Sequence, residues 1–167
     1  VLIPRPETEE LVRLIIRRVH NMRISGRPCR LLDIGTGSGC IPVTLALELQ
    51  EAELFATDVS LQALKVAREN ASRFDAKVQF VINDIIQDQI PVGNLNVIIS
   101  NPPYIPVGEK ERMKPNVLEF EPHIALFVSD EDPLVFYRVI LEKSRDALAS
   151  KGLLAVEINE RFGQEVV

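Results

Sequence analysis

A glycine-rich loop between a strand-like and a helix-like segment is the feature that most constrains this fold. The apolar stretch over residues 30–34 runs directly into Gly35-Thr36-Gly37-Ser38-Gly39. Glycines permit positive φ and let the backbone approach a ligand closely. The segment does not match the Gly-x-Gly-x-x-Gly dinucleotide-binding motif, because Cys40 occupies the position of the third glycine. It does not match the phosphate-binding loop either, because no Gly-Lys-Ser/Thr follows. The loop therefore predicts a ligand other than a nicotinamide dinucleotide, with a plain tight turn as the alternative.

The alternation of strand-like and helix-like segments along the chain predicts a parallel α/β sheet. Strands are predicted over residues 30–34, 54–57, 77–82, 96–100 and 153–158. Helices are predicted over 7–23, 41–50, from the cap at residue 60 to 72, over 133–149 and from 162 onward. The inward faces predicted for the first and third helices comprise Leu11, Leu14, Ile15, Val19, Leu61, Leu64 and Ala67. The proline-rich stretch 101–132 predicts a long functional loop.

Composition narrows the classes of function. The 167 residues suggest one domain, and an apolar content of 46% excludes general disorder. No apolar run reaches the roughly 18 residues of a membrane span. With 19 basic and 24 acidic residues, the net charge of −5 argues against broad electrostatic binding of nucleic acid. Two cysteines and two histidines are too few for a disulfide framework or a metal cluster, so no metal site is expected, and the usage fits a reducing cytosol.

Acidic residues follow the next two predicted strands. Asp58 closes the second strand, where an acid can accept hydrogen bonds from ribose hydroxyls. Asp84 follows the third strand and can meet the exocyclic amine of adenine, with Ile85 packing on the ring; a solvated strand end is the alternative for Asp84. Ligands of open α/β sheets bind at the carboxyl ends of the strands. The loop and Asp58 together predict an adenosine-containing ligand.

The tetrapeptide Asn101-Pro102-Pro103-Tyr104 follows the fourth predicted strand and carries the most chemical information. The Asn101 side-chain oxygen and the Pro102 carbonyl can each accept one N–H of an amide or an aromatic amine. They would hold that nitrogen with its lone pair aimed at an electrophilic carbon, and the prolines would keep the acceptors preorganised. Tyr104 can cover the planar group.

Two further features of the sequence are weaker indications of function. Phe120-Glu121-Pro122-His123 forms either a lid over the site or packing within the long loop, with His123 favoured as a structural residue over a catalytic base. Cys40 stands at a helix N-terminus, where the pKa of a thiol can be lowered. A small core residue is the favoured interpretation of Cys40.

The loop Gly35–Gly39, Asp58 and the tetrapeptide resemble the class I S-adenosylmethionine-dependent methyltransferases. The opening Ile3-Pro4-Arg5-Pro6-Glu7-Thr8-Glu9, with Phe120-Glu121-Pro122, narrows the resemblance to the HemK/PrmC family. That family methylates the glutamine amide in the Gly-Gly-Gln motif of peptide chain release factors. Across nearly the whole chain, the resemblance implies a Rossmann-like, mostly parallel sheet with helices on both faces. Residues 1–167 are then expected to form the catalytic domain, without the family's N-terminal helical domain and final antiparallel hairpin.

The resemblance also implies a role for each site residue. S-adenosylmethionine contacts are implied for Gly35, Thr36, Gly37, Ser38, Gly39, Asp58, Asp84, Ile85 and Asn101. Substrate contacts are implied for Asn101, Pro102, Pro103 and Tyr104, of which Asn101, Pro102 and Tyr104 are the catalytic candidates. The implied partner is a release factor in the cytoplasm, or in the mitochondrion of a eukaryote, with neither nucleic acid nor membrane.

Three other functions are weighed against this one. An adenine N6-methyltransferase acting on DNA or RNA shares the tetrapeptide, but the net charge of −5 and the lack of interleaved basic and aromatic residues weigh against it. A non-catalytic binding module with the same fold is disfavoured by the intact tetrapeptide. A nicotinamide oxidoreductase is disfavoured by Cys40.

Overall fold

A computed structural model describes residues 1, 5–22, 27–112 and 122–166 of the chain. Its central sheet has five strands, β1 (Arg30–Ile34), β2 (Glu53–Asp58), β3 (Val78–Ile82), β4 (Leu95–Ser100) and β7 (Leu148–Val156). The strand order is β3-β2-β1-β4-β7, and every neighbouring pair is parallel. Two short strands, β5 (Ile105–Pro106) and β6 (Phe127–Val128), pair with each other inside the stretch predicted as a loop. The predicted parallel α/β class is confirmed.

Helices cover both faces of this sheet. They are α1 (Pro6–Asn21), α2 (Cys40–Glu48), α3 (Leu61–Arg73), α4 (Val135–Ala147) and the short α5 (Gly163–Val166). Alternate strand residues point to opposite faces. Leu31 and Val97 therefore join the core beneath α1 and α2, whereas Leu32 and Ile98 join the core beneath α4. The central strands are buried on both sides, as the continuous apolar run of β4 predicts.

The predicted inward faces of two helices are each wrong at one residue. Leu14 is 45% exposed, because the buried side of α1 runs through Thr8, Val12 and Ile15, about 120° of helical rotation away. Leu61 is 66% exposed, because α3 packs through a line of alanines together with Leu64. A helical repeat of apolar residues indicates a helix, whereas the phase of the buried side depends on what the helix packs against.

The junction between α4 and β7 also differs from the prediction. The helix was expected to reach residue 149 and the strand to begin at residue 153, but α4 ends at Ala147 and β7 begins at Leu148. Gly152, expected just past the helix, lies inside β7 at an irregularity in its pairing with β4. A Cβ built on Gly152 would lie 3.0 Å from the Leu95 carbonyl oxygen, so the close strand contact requires glycine there.

Candidate active site

The carboxyl edge of the sheet collects the residues that the sequence singles out. The glycine loop follows β1, Asp58 ends β2, Asp84 lies just beyond β3, and Asn101 follows β4. Ile34 is in register with Thr57 on one side and with Ser100 on the other. The parallel register therefore brings these loops side by side, as expected.

The glycine loop has a distinct requirement at each glycine. Gly35, Gly37 and Gly39 have φ of 73°, 56° and 77°, in the left-handed region that favours glycine. A Cβ built on Gly39 would lie 2.9 Å from the Ala67 Cβ, so this glycine lets α3 pack against the loop. A Cβ built on Gly35 or Gly37 would meet no atom of the described residues within 4 Å. The first two glycines therefore border open space that a ligand can enter.

The Asp58 carboxylate is held against the glycine loop. One of its oxygens accepts a hydrogen bond from the Gly37 N–H at 2.8 Å, and the other accepts one from the Ser60 N–H at 2.8 Å. The Ser60 hydroxyl caps α3 by accepting from the Ala63 N–H, as predicted. A carboxylate offers about four acceptor positions, which leaves capacity for two hydroxyl donors of a ligand.

A buried acid that sequence reasoning missed lies beneath the loop. Asp33, in the middle of β1, is 1% exposed, and neither of its oxygens has a hydrogen-bond partner within the described part of the chain. Burial raises the pKa of Asp33, the nearby Thr36 hydroxyl lowers it in part and the negative charge of Asp58 raises it, and together these effects bring it to about 7. The signal in the sequence was an aspartate inside an apolar strand.

The turn after β3 is stabilised by a hydrogen bond within the turn and by a lysine of α4. Asp84 Oδ1 accepts a hydrogen bond from the Ile86 N–H at 2.9 Å, and Ile85 is 8% exposed within the core beneath α4. The Lys143 ammonium donates to the carbonyls of Ile85 and Asp88 at 2.8 and 2.7 Å. The structure thus gives Asp84 and Ile85 roles in the fold, and their contacts with adenine stay a prediction.

Apolar side chains lie exposed beside Asp58. Val59 is 46% exposed and Ile82, the register partner of Asp58, is 52% exposed. Two exposed apolar residues therefore accompany Asp58, one next to it in the chain and one across the β2–β3 register. Neither residue was predicted from the sequence, although an apolar residue directly after a strand-ending acid is visible there.

Asn101 belongs to a hydrogen-bond network that joins three elements. Its Nδ2 donates to the Thr8 hydroxyl at 3.3 Å, and the Thr8 hydroxyl donates to Glu157 Oε2 at 2.7 Å. The Tyr104 hydroxyl donates to Glu157 Oε1 at 3.2 Å. Burial and the negative charge of Glu157 raise the pKa of Tyr104 to about 12, so this hydroxyl keeps its proton at neutral pH.

Thr8 and Glu157 are site residues that sequence reasoning did not single out. They are 5% and 9% exposed, and Glu157 follows β7, where its N–H donates to the Ser100 carbonyl at 2.9 Å. Glu157 lies inside the apolar segment predicted as the fifth strand, and Thr8 lies in the opening motif. The two prolines lie between Asn101 and Tyr104 in the chain. Pro102 is buried and Pro103 is half-buried.

Cys40 and His123, which the sequence left open as functional candidates, both have structural roles. Cys40 is half-buried against the core beneath α1 and α2, and burial raises the pKa of its thiol, which confirms a small core residue. The His123 ring packs edge-on against Phe127 with 5.4 Å between ring centroids. Phe120 and Glu121 lie outside the described residues. In the described ranges there is no cluster of three or more potential metal ligands, and none of their helices is long and apolar enough to cross a bilayer.

Comparisons with known proteins agree with this arrangement. A family model described as methyltransferase small domain matches residues 13–119. The chain is 48% identical, over its whole length, to a release factor glutamine methyltransferase of Bacteroides thetaiotaomicron, and 40% identical over 99% of its length to one of Bacillus anthracis. It spans 58% of the length of each of these two relatives.

A solved structure shares the fold at low sequence identity. The ribosomal protein L11 methylase of Lactobacillus delbrueckii subsp. bulgaricus has a TM-score of 0.58 at 18% identity, covering 97% of this chain and 66% of that one. This likeness supports the Rossmann-like sheet with helices on both faces.

Proposed function

Because this chain belongs to the methyltransferase small domain family, we propose that it is the catalytic domain of a protein-glutamine methyltransferase. It transfers a methyl group from S-adenosylmethionine to the side-chain amide nitrogen of the glutamine in the Gly-Gly-Gln motif of a peptide chain release factor, in the cytoplasm. The names of its relatives support the substrate. The observation that carries the proposal is the Asn101 amide, which is held by Thr8 through Nδ2 at the carboxyl end of β4.

The residues present fit S-adenosylmethionine, which supplies an electrophilic methyl group on a positively charged sulfonium. Open space borders Gly35 and Gly37. Asp58 keeps acceptor capacity for the two ribose hydroxyls, and the exposed Val59 offers an apolar surface to the adenine. The Asp33 carboxyl, which has no hydrogen-bond partner among the described residues, would be stabilised in its ionised form by a cation in front of the loop.

The chain's own contribution is to orient the nitrogen that is methylated. A glutamine amide presents two N–H donors, which the Asn101 Oδ1 and the Pro102 carbonyl can accept. An amide nitrogen is a poor nucleophile because its lone pair is delocalised, so alignment and proximity supply much of the rate. Neither acceptor is a base, so these residues hold the amide in line rather than deprotonate it beforehand. The nitrogen becomes acidic once it is methylated, and it then releases one proton to water.

An adenine N6-methyltransferase is the second candidate, because the exocyclic amine of adenine also presents two N–H donors to the same acceptors. The net charge of −5 favours the protein substrate, since a net negative charge disfavours the approach of a polyanion. The intact Asn-Pro-Pro-Tyr sequence favours an enzyme over a non-catalytic module.

Mass spectrometry tests the proposal directly. The whole protein is incubated with S-adenosylmethionine and a folded release-factor domain, and in parallel with an adenine-containing oligonucleotide. We expect the mass of one CH₂ to be added to the Gly-Gly-Gln glutamine, and no gain on a domain in which that glutamine is replaced by alanine. Methylation of the oligonucleotide, with none of the release factor, would overturn the proposal.

A further inference from the structure

We infer that Thr8 and Glu157 form a hydrogen-bond relay that sets which way the Asn101 amide points, and that Thr8 is a positioning residue for methyl transfer. The effect on rate rests on the proposed function. The orientation of the amide itself does not, and it can be measured without any substrate.

The direction of the relay follows from the donors that each group has. Both oxygens of Glu157 face hydroxyl groups, one from Thr8 at 2.7 Å and one from Tyr104 at 3.2 Å. An ionised carboxylate only accepts hydrogen bonds. The single hydroxyl proton of Thr8 is therefore directed at Glu157, and the Thr8 oxygen can only accept from its other neighbour.

That other neighbour is Asn101, at 3.3 Å. Because Thr8 accepts there, the Asn101 group that faces it must be the donor Nδ2. The carbonyl Oδ1 then lies on the opposite side of the amide, where it is an acceptor for a substrate N–H. The reversed amide would face Thr8 with an acceptor and would present a donor to the substrate nitrogen, which is itself a donor.

Burial and the surrounding backbone hold the side chains of the relay in place. Thr8 and Glu157 are 5% and 9% exposed, so water competes little for their hydrogen bonds. The three residues come from the first turn of α1, the end of β4 and the end of β7, and the backbone of Glu157 is hydrogen-bonded to Ser100, next to Asn101. Neither Thr8 nor Glu157 needs to touch the substrate, so both act through Asn101.

The first test compares Thr8→Val, which keeps the branched shape and removes the hydroxyl, with Thr8→Ser, which keeps the hydroxyl. In single-turnover methyl transfer at saturating substrate and cofactor, Thr8→Val should slow the reaction about tenfold, the change expected for losing one hydrogen bond. Thr8→Ser should stay close to wild type, and cofactor affinity should be unaffected in both. Equal rates for the two variants would overturn the inference. If Thr8→Val lowers the melting temperature, Thr8→Ala provides a second variant without the hydroxyl.

A double-mutant cycle tests whether Thr8 acts through Asn101. Thr8→Val should have no further effect on the rate when Asn101 is already alanine. A full tenfold loss in that background would show that Thr8 acts by another route, and the relay would be wrong.

The side-chain amide signals of Asn101 separate this inference from the proposed function. In ¹⁵N-labelled whole protein without substrate, Thr8→Val should shift both N–H signals of Asn101 and speed their exchange with solvent, whereas Thr8→Ser should not. Unchanged signals in Thr8→Val would overturn the relay whatever the enzyme methylates. The expected shift, in a protein that does not methylate a release factor, would leave the relay in place and remove the proposed function.

Discussion

At the scale of single residues, the buried carboxyl of Asp33 lowers the stability of the fold once it ionises. Its carboxyl is 1% exposed and its pKa is raised from 3.8 to about 7. In the unfolded chain it ionises near its ordinary pKa, so the folded state carries a penalty that is absent below about pH 4. The penalty grows as the pH rises and is complete above about pH 7. Once ionised, Asp33 costs the folded protein about 4 kcal/mol.

Replacing Asp33 by asparagine should therefore stabilise the protein in the absence of cofactor. The gain in the free energy of unfolding should increase between pH 5 and pH 8, as measured by chemical denaturation. The same variant should bind S-adenosylmethionine more weakly, because it lacks the charge. A gain that is the same at both pH values would contradict the raised pKa.

Asn101→Ala removes one of the two acceptors for the substrate nitrogen and lets that nitrogen turn out of line. By analogy with the loss of one oxyanion-hole donor, the methyl-transfer rate should fall by about 10²–10³. Binding of S-adenosylmethionine, measured by calorimetry, should change far less. A variant that loses cofactor affinity as strongly as rate would place Asn101 in cofactor binding instead.

Asp58→Ala should weaken cofactor binding, in contrast to Asn101→Ala, which should mainly slow methyl transfer. Removing its carboxylate takes away the proposed acceptor for the ribose hydroxyls, and we expect binding of S-adenosylmethionine to weaken by about 1.5–3 kcal/mol, the range for hydrogen bonds to a charged group. Calorimetry that finds an unchanged affinity would remove Asp58 from the ribose role. Because Asp58 also accepts from Gly37 and Ser60, the melting temperature should be recorded alongside.

At the scale of elements, the glycine loop serves the packing of a helix as well as the proposed cofactor site. Gly37 and Gly39 share a left-handed backbone, but only Gly39 lies against α3, where a Cβ would come within 2.9 Å of the Ala67 Cβ. A side chain at residue 39 must therefore displace the helix or distort the loop.

This difference predicts that Gly39→Ala destabilises the protein more than its matched control Gly37→Ala. Both variants carry the strain of positive φ, and Gly39→Ala adds the overpacking of a rigid contact, about 1–3 kcal/mol. Chemical denaturation of the two variants gives the comparison. Equal losses would mean that α3 can move away from the loop at little cost.

At the scale of the whole molecule, the charge balance separates the two candidate substrates. A net charge of −5 disfavours the approach of a polyanion such as nucleic acid. Binding of a labelled adenine-rich oligonucleotide, followed by fluorescence anisotropy, should show no saturation at 50 or 150 mM salt. Saturable binding that weakens steeply with salt would reveal a local basic groove and favour the nucleic-acid substrate.

Much of the fold and of the site could be predicted because it is encoded locally. Strand β1 was predicted at its observed bounds, Arg30–Ile34, since a short apolar run followed by glycines has few other solutions. Parallel strands end at one edge of the sheet, so the loop, Asp58 and Asn101 were expected to meet. The exposure of Leu14 and Leu61 could not be predicted, because the phase of a buried helix face depends on its partner.

The sequence by itself determined the class of fold and the kinds of side chain at the ends of the strands, since both follow from short-range patterning. Only the tertiary structure decided that Thr8 meets Glu157, 149 residues further along the chain, and that the amide of Asn101 donates to Thr8. The strand order β1-β4-β7 brings the ends of β4 and β7 together, and the packing of α1 adds Thr8. Such contacts depend on the arrangement of elements in space, which local sequence patterns do not encode.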